Sequence, residues 1–257
     1  MDEEVLVVAD VSPAGLETVR VERRDRVAHL FMNRPDKLNA LNSETLASMR
    51  AAIEELAHAS DLEVVVITGA GRAFSAGGDL KEETAVGTEA EQCAVLREKA
   101  SLVESIRAMP QLTIAAINGA CAGAAVGIAA ACDLRYMASS AFVDTAYARL
   151  GYSGDFGVAY FLYEQIGPGR AIDWLVRPRR IDSAEAASAG FSHCSFDDEN
   201  FSEAIGQIAA HLARQDHLTR ESIFQNVAEA RTRALGPYLD MEGRRHVASK
   251  RRAADRS

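Results

Sequence analysis

Short apolar runs alternate with turns and amphipathic stretches through the first half of the chain. Val64–Ile67 and Thr113–Ile117 are uncharged runs of the length that favours buried strands. Each run leads into a turn rich in glycine and alanine, and a stretch with helical spacing follows. This succession of strand, turn and helix recurs over residues 63–109 and 113–131, which predicts ββα units stacked into a coil.

The remaining periodicity predicts a hairpin near the start of the chain and helices near its end. Leu16–Glu22 and Arg26–Met32 are interpreted as two strands joined by a charged turn. Asn42 is the expected N-cap of a helix, and from Gly157 onward the pattern is helical with breaks at glycines. The apolar face predicted for the helix after Asn42 consists of Leu46, Met49, Ile53 and Leu56.

One segment, Leu112–Cys132, is nearly uncharged over the length of a membrane span. The dipeptide Asn118-Gly119 in its middle is a turn signal, and the second half is mostly alanine and glycine. A buried strand followed by a buried helix therefore fits this segment better than a transmembrane helix, and we expect no membrane association.

Composition narrows the classes of function. The 257 residues suffice for one well-packed domain, and the net charge of −9 opposes a nucleic-acid surface. The four cysteines and six histidines show no metal-ligand spacing, and no serine-hydrolase, zinc-protease or dinucleotide-binding motif occurs. The acidic start Met1–Glu4 is unlike a signal peptide, so we expect a cytoplasmic protein. The spacing of the cysteines and histidines leads us to expect no metal ion.

Two small-residue turns carry the strongest sign of chemistry. Phe74–Leu80 and the first half of Asn118–Asp133 each follow an apolar run and lie where a helix would begin. That arrangement points free backbone N–H groups into a shared space. Two such donors aimed at one oxygen form an oxyanion hole, so the pattern favours an enzyme over a binding module.

Sequence motifs spread over most of the chain indicate a family. Asn33–Leu41 reads NRPDKLNAL, Gly71–Lys81 reads GRAFSAGGDLK, and Ala116–Asp133 begins with AING and ends with CD. Together with the dipeptide Leu150-Gly151 and a later helix with the pattern AxxAxxxG, these motifs resemble the crotonase (enoyl-CoA hydratase/isomerase) superfamily. The resemblance extends from about residue 17 to residue 252.

The resemblance implies an α/β fold, with a crotonase-like ββα spiral core and a C-terminal helical trimerisation region. We expect an N-terminal extension over residues 1–15, the core with its acyl-CoA site over 16–190, and the helical region over 191–257. The implied partner is an acyl-CoA thioester, and the implied assembly is a homotrimer or a dimer of trimers. CoA would enter as part of the substrate, so no separate cofactor is implied.

The resemblance also implies roles for individual residues. It places the two oxyanion-hole N–H groups at Gly78 and Ala124, and Lys250 at the position that reaches the CoA phosphates of a neighbouring subunit. Asp79 is interpreted as ordering its loop by accepting backbone N–H groups, which is common for Asp at turns. The positions implied along the acyl-CoA site, besides these, are Lys37, Leu38, Ala40, Ala76, Asp79 and Leu80.

The chain departs from the family at the two positions where hydratases carry glutamates. The first position is Gly127, and the second falls at Tyr147 or Ala146, depending on the direction of counting. Adding water across a conjugated double bond requires one group to activate water and another to deliver a proton. Neither glutamate is present to do so.

Asp155, in the sequence LGYSGDFG, is the candidate that remains. Superfamily members that shift double bonds often have an acidic residue at this site, and burial would raise its pKa toward neutrality. The alternative is an N-cap for the helix that starts near Gly157. Tyr147 and Asp144 are secondary candidates.

Three functions stay open at this stage. The first is an enoyl-CoA isomerase that uses Asp155 as its single acid/base. The second is an enoyl-CoA hydratase or another enolate reaction, with water placed by Asp155 or Tyr147. The third is a non-catalytic acyl-CoA-binding homologue that kept the fold after losing both glutamates.

Overall fold

The computed structural model describes residues 9–10, 17–82 and 87–254. The chain consists of one compact unit that ends at Ala213 and a second that begins at Arg214. The boundary near residue 190 that the sequence analysis gives between core and helical region stays a prediction. Most of the predicted extension over residues 1–15 lies outside the described residues.

A seven-stranded sheet forms the centre of the first unit. Its spatial order is β1-β2-β3-β4-β6-β8-β11; the pairings of β1 with β2 and of β2 with β3 are antiparallel, and the rest are parallel. The strands are β1 (Ala9–Asp10), β2 (Val19–Arg24), β3 (Val27–Met32), β4 (Val64–Gly69), β6 (Leu112–Ile117), β8 (Leu134–Ala138) and β11 (Cys194–Phe196).

A smaller four-stranded sheet has the order β10-β9-β7-β5. Each of β5 and β7 follows a strand of the large sheet directly in sequence, which gives the strand-strand-helix repeat that the periodicity predicts. The strands are β5 (Ala73–Ser75), β7 (Ala120–Ala122), β9 (Phe142–Asp144) and β10 (Ile181–Asp182).

Helices cover the sheets of the first unit and make up most of the second. A short 3₁₀ helix spans Pro35–Lys37. The α-helices of the first unit are α1 (Ser43–His58), α2 (Glu89–Arg107), α3 (Ala124–Ala131), α4 (Tyr147–Leu150), α5 (Val158–Ile166), α6 (Pro168–Val176), α7 (Ser183–Ala189) and α8 (Asp198–Ala213), and those of the second are α9 (His217–Ala230) and α10 (Leu235–Ala254).

Several local predictions are confirmed. The Asn42 side chain accepts a hydrogen bond from the Thr45 backbone N–H at 2.9 Å, so it caps α1. All four residues predicted for the apolar face of that helix are buried. The apolar segment after Gln111 is a strand, a turn at Asn118 and the fully buried α3. No helix among the described residues is both long enough and apolar enough to cross a membrane.

Two differences from the sequence analysis have clear causes. The first hairpin strand continues to Arg24 and the second begins at Val27, so the turn is Asp25-Arg26, with Asp25 in the left-handed region. The region predicted as helical contains β10 and β11, which are too short to show a period of two residues. They form because edges of both sheets are available to them, and α8 then packs on the large sheet.

Candidate active site

The two small-residue turns meet where the two sheets adjoin. Gly77 has φ +86° and Gly123 has φ +52°, conformations that glycine adopts without strain. A Cβ added at Gly77 would lie 2.5 Å from the carbonyl oxygen of Ala122 and 3.5 Å from Cα of Gly123. The turns are therefore in direct contact, and glycine is what allows the contact.

The turns leave two backbone donors available. Leu41 N–H donates to Gly77 O at 2.8 Å and Asp79 N–H donates to Leu41 O at 2.9 Å, so the N–H of Gly78 faces away from this ladder. Ala124 is the first residue of α3, where N–H groups have no partner within the helix. Neither Gly78 N–H nor Ala124 N–H donates to another described residue. A Cβ added at Gly78 would meet no heavy atom within 4 Å, so space for a ligand is present beside it.

Asn39 fastens the loop before α1 to the turn between β4 and β5, a role that the sequence analysis did not assign. The side chain is fully buried; its Nδ2 donates to Ala70 O at 2.9 Å and to Ala73 O at 2.8 Å, and its Oδ1 accepts from Arg34 N–H at 2.9 Å. The backbone is left-handed at φ +56°, which Asn tolerates better than most residues. The same loop is joined to the end of β5, just before the Ala76–Asp79 turn, by the bond from Ser75 Oγ to Asn39 O at 2.7 Å.

Asp79 has the ordering role predicted for it. Its carboxylate accepts from Lys81 N–H at 3.2 Å and pairs with Arg34 Nη1 at 3.1 Å. The hydrogen bond from Lys81, followed by that from Arg34, holds the pKa of Asp79 below its usual value. Arg34 Nη1 also donates to Ala40 O at 2.5 Å, so a single guanidinium joins both loops. Arg34 was missed as a positioning residue although it lies in the NRP motif.

Asp155 and Tyr147 form a hydrogen-bonded pair. Tyr147 Oη donates to Asp155 Oδ1 at 2.6 Å, the short distance typical of a bond to a carboxylate. Burial raises the pKa of Asp155, and the bond from Tyr147 opposes that rise in part. The pKa of the Tyr147 hydroxyl is raised, by burial first and then by the charge of Asp155, so the phenol stays protonated and donates.

The Asp155 side chain does not cap the helix that follows it. The N-cap of α5 is Gly157, and no side chain bonds to the first turn of this helix. Only the main-chain carbonyl of Asp155 takes part, accepting from Val158 N–H at 3.1 Å. The carboxylate is thus available for another purpose.

Gly127 lies under the loop that carries Asp155. A Cβ added there would lie 2.3 Å from the carbonyl oxygen of Phe156 and 2.8 Å from its Cβ. Gly127 is three residues after Ala124, about 4.5 Å further along α3 and on the same face. Phe156, the residue after Asp155, therefore packs on α3 within one helical turn of the Ala124 N–H.

Left-handed non-glycine residues flank the pair. Ala146 has φ +60° and precedes Tyr147, while Phe156 has φ +48° and follows Asp155. Such conformations cost on the order of 1–3 kcal/mol and cluster at functional sites. Periodicity does not show them, which is why the sequence analysis did not single out Phe156.

The remaining candidates differ in their surroundings. Asp144 forms two bonds of 2.7 Å with Arg149 Nη2 and accepts from Ala146 N–H at 3.0 Å, so it is engaged in holding the α4 turn.

Ala76 N–H donates to Leu38 O at 2.9 Å, which joins two of the predicted CoA contacts. Lys37, Ala76 and Leu80 are exposed, whereas Ala40 is buried; Lys250 is exposed on α10 in the second unit. Among the described residues no group of three acidic, histidine or cysteine side chains could hold a metal ion.

Comparison with known proteins identifies the family. The family model for enoyl-CoA hydratase/isomerase matches residues 22–255. The chain is 35% identical over 198 residues to a probable enoyl-CoA hydratase from Rhodobacter capsulatus, covering 77% of this chain and 76% of the relative. It is 30% identical over 219 residues to 1,2-epoxyphenylacetyl-CoA isomerase from Escherichia coli, covering 84% of each.

A solved structure gives the same answer for the fold. The crystal structure of an enoyl-CoA hydratase subunit from Geobacillus kaustophilus superposes with a TM-score of 0.82 at 28% sequence identity, over 90% of this chain and 89% of the other. The family model spans almost the whole chain. The two small-residue turns contact each other through Gly77 and Gly123, as described above. The chain therefore belongs to the enoyl-CoA hydratase/isomerase (crotonase) superfamily.

Proposed function

We propose that the protein is an enzyme that binds an acyl-CoA thioester with its carbonyl oxygen between the N–H groups of Gly78 and Ala124. A proton next to a thioester carbonyl is too weakly acidic to be removed unless the enolate oxygen is stabilised. Two backbone donors that are already oriented supply this stabilisation, and one such donor contributes about 2.7–4 kcal/mol in comparable sites. The contact between the Gly77 and Gly123 turns and the unused N–H groups support this role.

Asp155 is the proposed acid/base, and Tyr147 is its positioning residue. The bond from Tyr147 occupies Oδ1, while Oδ2 has no hydrogen-bond partner among the described residues. Oδ2 is therefore the oxygen that we expect to exchange a proton with the substrate. Because burial raises the pKa of Asp155, this carboxylate is a better proton carrier near neutral pH than an exposed aspartate.

The reaction that this arrangement supports best is the migration of a double bond in an enoyl-CoA. One carboxylate can remove a proton from one carbon and return it to another, and the enolate between the two steps is held by the oxyanion hole. The single observation that carries the proposal is the half-buried Asp155 held by Tyr147, with Gly127 in place of a second acid/base. The similarity to an isomerase of a CoA ester is consistent with it.

A hydratase or another enolate reaction is the second candidate, and the relative from Rhodobacter capsulatus favours it. In that case Asp155 and the Tyr147 hydroxyl would hold the water. A non-catalytic acyl-CoA-binding protein is the third. The close packing of Phe156 on Gly127 argues against the binding protein, because a homologue that had lost its activity would not require so tight a contact at this position.

The proposed assembly is a homotrimer or a dimer of trimers, with Lys250 approaching the CoA phosphates of a neighbouring subunit. Its support lies in the second unit, where α9 and α10 expose large apolar side chains. Lys37, Leu38 and Ala40 are the proposed contacts of the adenine end of CoA. The exposed apolar residues of α9 and α10 are Ile223, Phe224, Val227, Leu235, Leu239 and Val247.

The experiment is to incubate the protein with 2-enoyl-, 3-enoyl- and 3-hydroxyacyl-CoA thioesters and to separate the products by chromatography. Conversion of 3-enoyl- to 2-enoyl-CoA without uptake of water supports the isomerase, provided that Asp155→Asn removes it. Interconversion of 2-enoyl- and 3-hydroxyacyl-CoA supports the hydratase instead. Tight CoA binding without turnover of any of these thioesters contradicts both enzymes and supports the binding protein.

A further inference from the structure

Helix α3 begins at one donor of the proposed oxyanion hole. Its first residue, Ala124, provides one of the proposed donors, and Gly127 lies one turn further on the same face. A side chain at position 127 would thus lie one helical turn from the Ala124 donor, facing the loop that carries Asp155. The space in which that side chain would start is filled by Phe156.

Gly127 is needed for this contact and not for its own backbone conformation. It lies inside α3, unlike Gly77 and Gly123, whose φ values are positive. A glycine in a helix costs about 1 kcal/mol relative to alanine. The gain that offsets this cost is the approach of Phe156, whose carbonyl oxygen would be only 2.3 Å from an added Cβ.

Phe156 is held in that place by an unusual backbone. It is a buried aromatic residue with φ +48°, between Gly154 at φ +113° and Gly157 at φ +67°. A bulky residue in this region is a genuine outlier. The bend presses the loop against α3 and sets the neighbouring Asp155 beside the same helix.

We propose that Phe156, seated on Gly127, determines the reaction specificity of the enzyme, an inference that rests on the proposed function. It fills the side of the site from which α3 could supply a second acid/base or a bound water. Asp155 is then the one group that exchanges a proton with the substrate.

The proton transfer that follows is balanced without a co-reactant. Asp155 Oδ2 takes a proton from C2 of a 3-enoyl-CoA, and the C–H electron pair forms a dienolate with its charge on the thioester oxygen. The same Oδ2 returns the proton to C4, and the electrons close the C2–C3 double bond. Water is neither consumed nor released.

The test follows the fate of the label in a 3-enoyl-CoA that is deuterated at C2 and converted in ordinary water. We expect the wild-type protein to return deuterium to C4 of the product. In Gly127→Ala the new Cβ must displace the Phe156 loop, so retention should be lost and 3-hydroxyacyl-CoA should appear. Gly206→Ala is the matched control, because Gly206 is also helical and an added Cβ there meets no heavy atom within 4 Å.

A second variant covers the case in which Gly127→Ala does not fold. Phe156→Gly removes the side chain but permits the same left-handed backbone, and it should also lose label retention and gain hydration. Full retention with no hydration product in a folded Gly127→Ala or Phe156→Gly protein overturns the inference while the isomerase stands. A wild-type protein without isomerase turnover, or with turnover that Asp155→Asn leaves intact, instead overturns the proposed function and the inference with it.

Discussion

The Ala76–Asp79 turn and the Ala146–Gly157 loop both border the candidate site, and different forces hold them. The turn is bonded to the preceding loop by backbone hydrogen bonds at Ala76, Gly77 and Asp79, and its carboxylate pairs with Arg34. The loop contains two left-handed non-glycine residues, and the Tyr147–Asp155 bond joins its two ends.

The difference matches the two tasks that the proposed function gives to these regions. Stabilising an enolate oxygen requires two N–H groups at fixed positions, and a backbone ladder supported by the Asn39 and Arg34 side chains holds the turn that carries one of them. Choosing where a proton goes requires one side chain in one place, and a strained loop can be repacked without disturbing the ladder. On the proposed function, the turn therefore stabilises the enolate oxygen, and the loop decides where the proton goes.

The largest effect should come from the loop. We expect Asp155→Asn to lower turnover roughly 10²–10⁴-fold, the usual contribution of a positioned acid/base, while acyl-CoA affinity changes little. The measurements are kcat and the Kd for the acyl-CoA. The matched control is Asp198→Asn, because Asp198 accepts bonds from Ser139 and Ser140 away from the two turns and should leave kcat unchanged. Undiminished turnover of Asp155→Asn on its substrate would place the chemistry elsewhere.

The turn should show its importance in stability. We expect Asn39→Ala to lower the free energy of unfolding by roughly 3 kcal/mol, the upper range for buried polar groups that lose their partner. Urea denaturation measures the change. Asn33→Ala is the control, since its side chain makes an exposed bond of 3.3 Å to Glu17 O, and its effect should stay near 0.5 kcal/mol. Equal effects of the two substitutions would contradict the view that the backbone ladder depends on Asn39.

Two adjacent glycines sharpen the same point. Gly77→Ala forces a left-handed alanine against Ala122 O, and we expect a loss of about 2 kcal/mol in stability. Gly78→Ala has open space and should stay within about 0.5 kcal/mol of the wild type. Thermal and urea unfolding of the two variants, measured side by side, test the assignment. A Gly78→Ala protein as unstable as Gly77→Ala would show that the ligand space beside Gly78 is misplaced.

The smallest expected effect concerns Tyr147. Its hydrogen bond favours the charged form of Asp155, so Tyr147→Phe should raise the pKa of Asp155 further. A base must be ionised to act, and the acidic limb of the pH–rate profile should therefore move to higher pH. Near neutral pH we expect turnover to fall about tenfold, in line with a hydrogen bond to a charged group.

The control for that change is Tyr152→Phe. Tyr152 lies in the same loop but is exposed, so its removal should leave the pH profile in place. An unshifted acidic limb in Tyr147→Phe would mean that the bond between the two side chains does not tune the base.

The sequence was sufficient for elements whose signal is local. Spacing within a few residues predicted the apolar face of α1 and the strand and helix on either side of Asn118. Local capping and turn chemistry predicted the Asn42 cap and the role of Asp79. β10 and β11 escaped because a strand of two or three residues has no measurable period.

Only the tertiary structure decided that the Asp155 side chain does not cap the helix after it. A helix cap and a buried proton carrier both suit an aspartate before a helix. The N-cap at Gly157 excludes the cap, and the bond from Tyr147 supports the proposed proton carrier. The sequence motifs indicated the family. They also predicted the two glycine turns, because glycine encodes the backbone conformation of a turn locally. The loop around Phe156 depends on contact with Gly127, some thirty residues earlier in the chain, and no local pattern can encode such a contact.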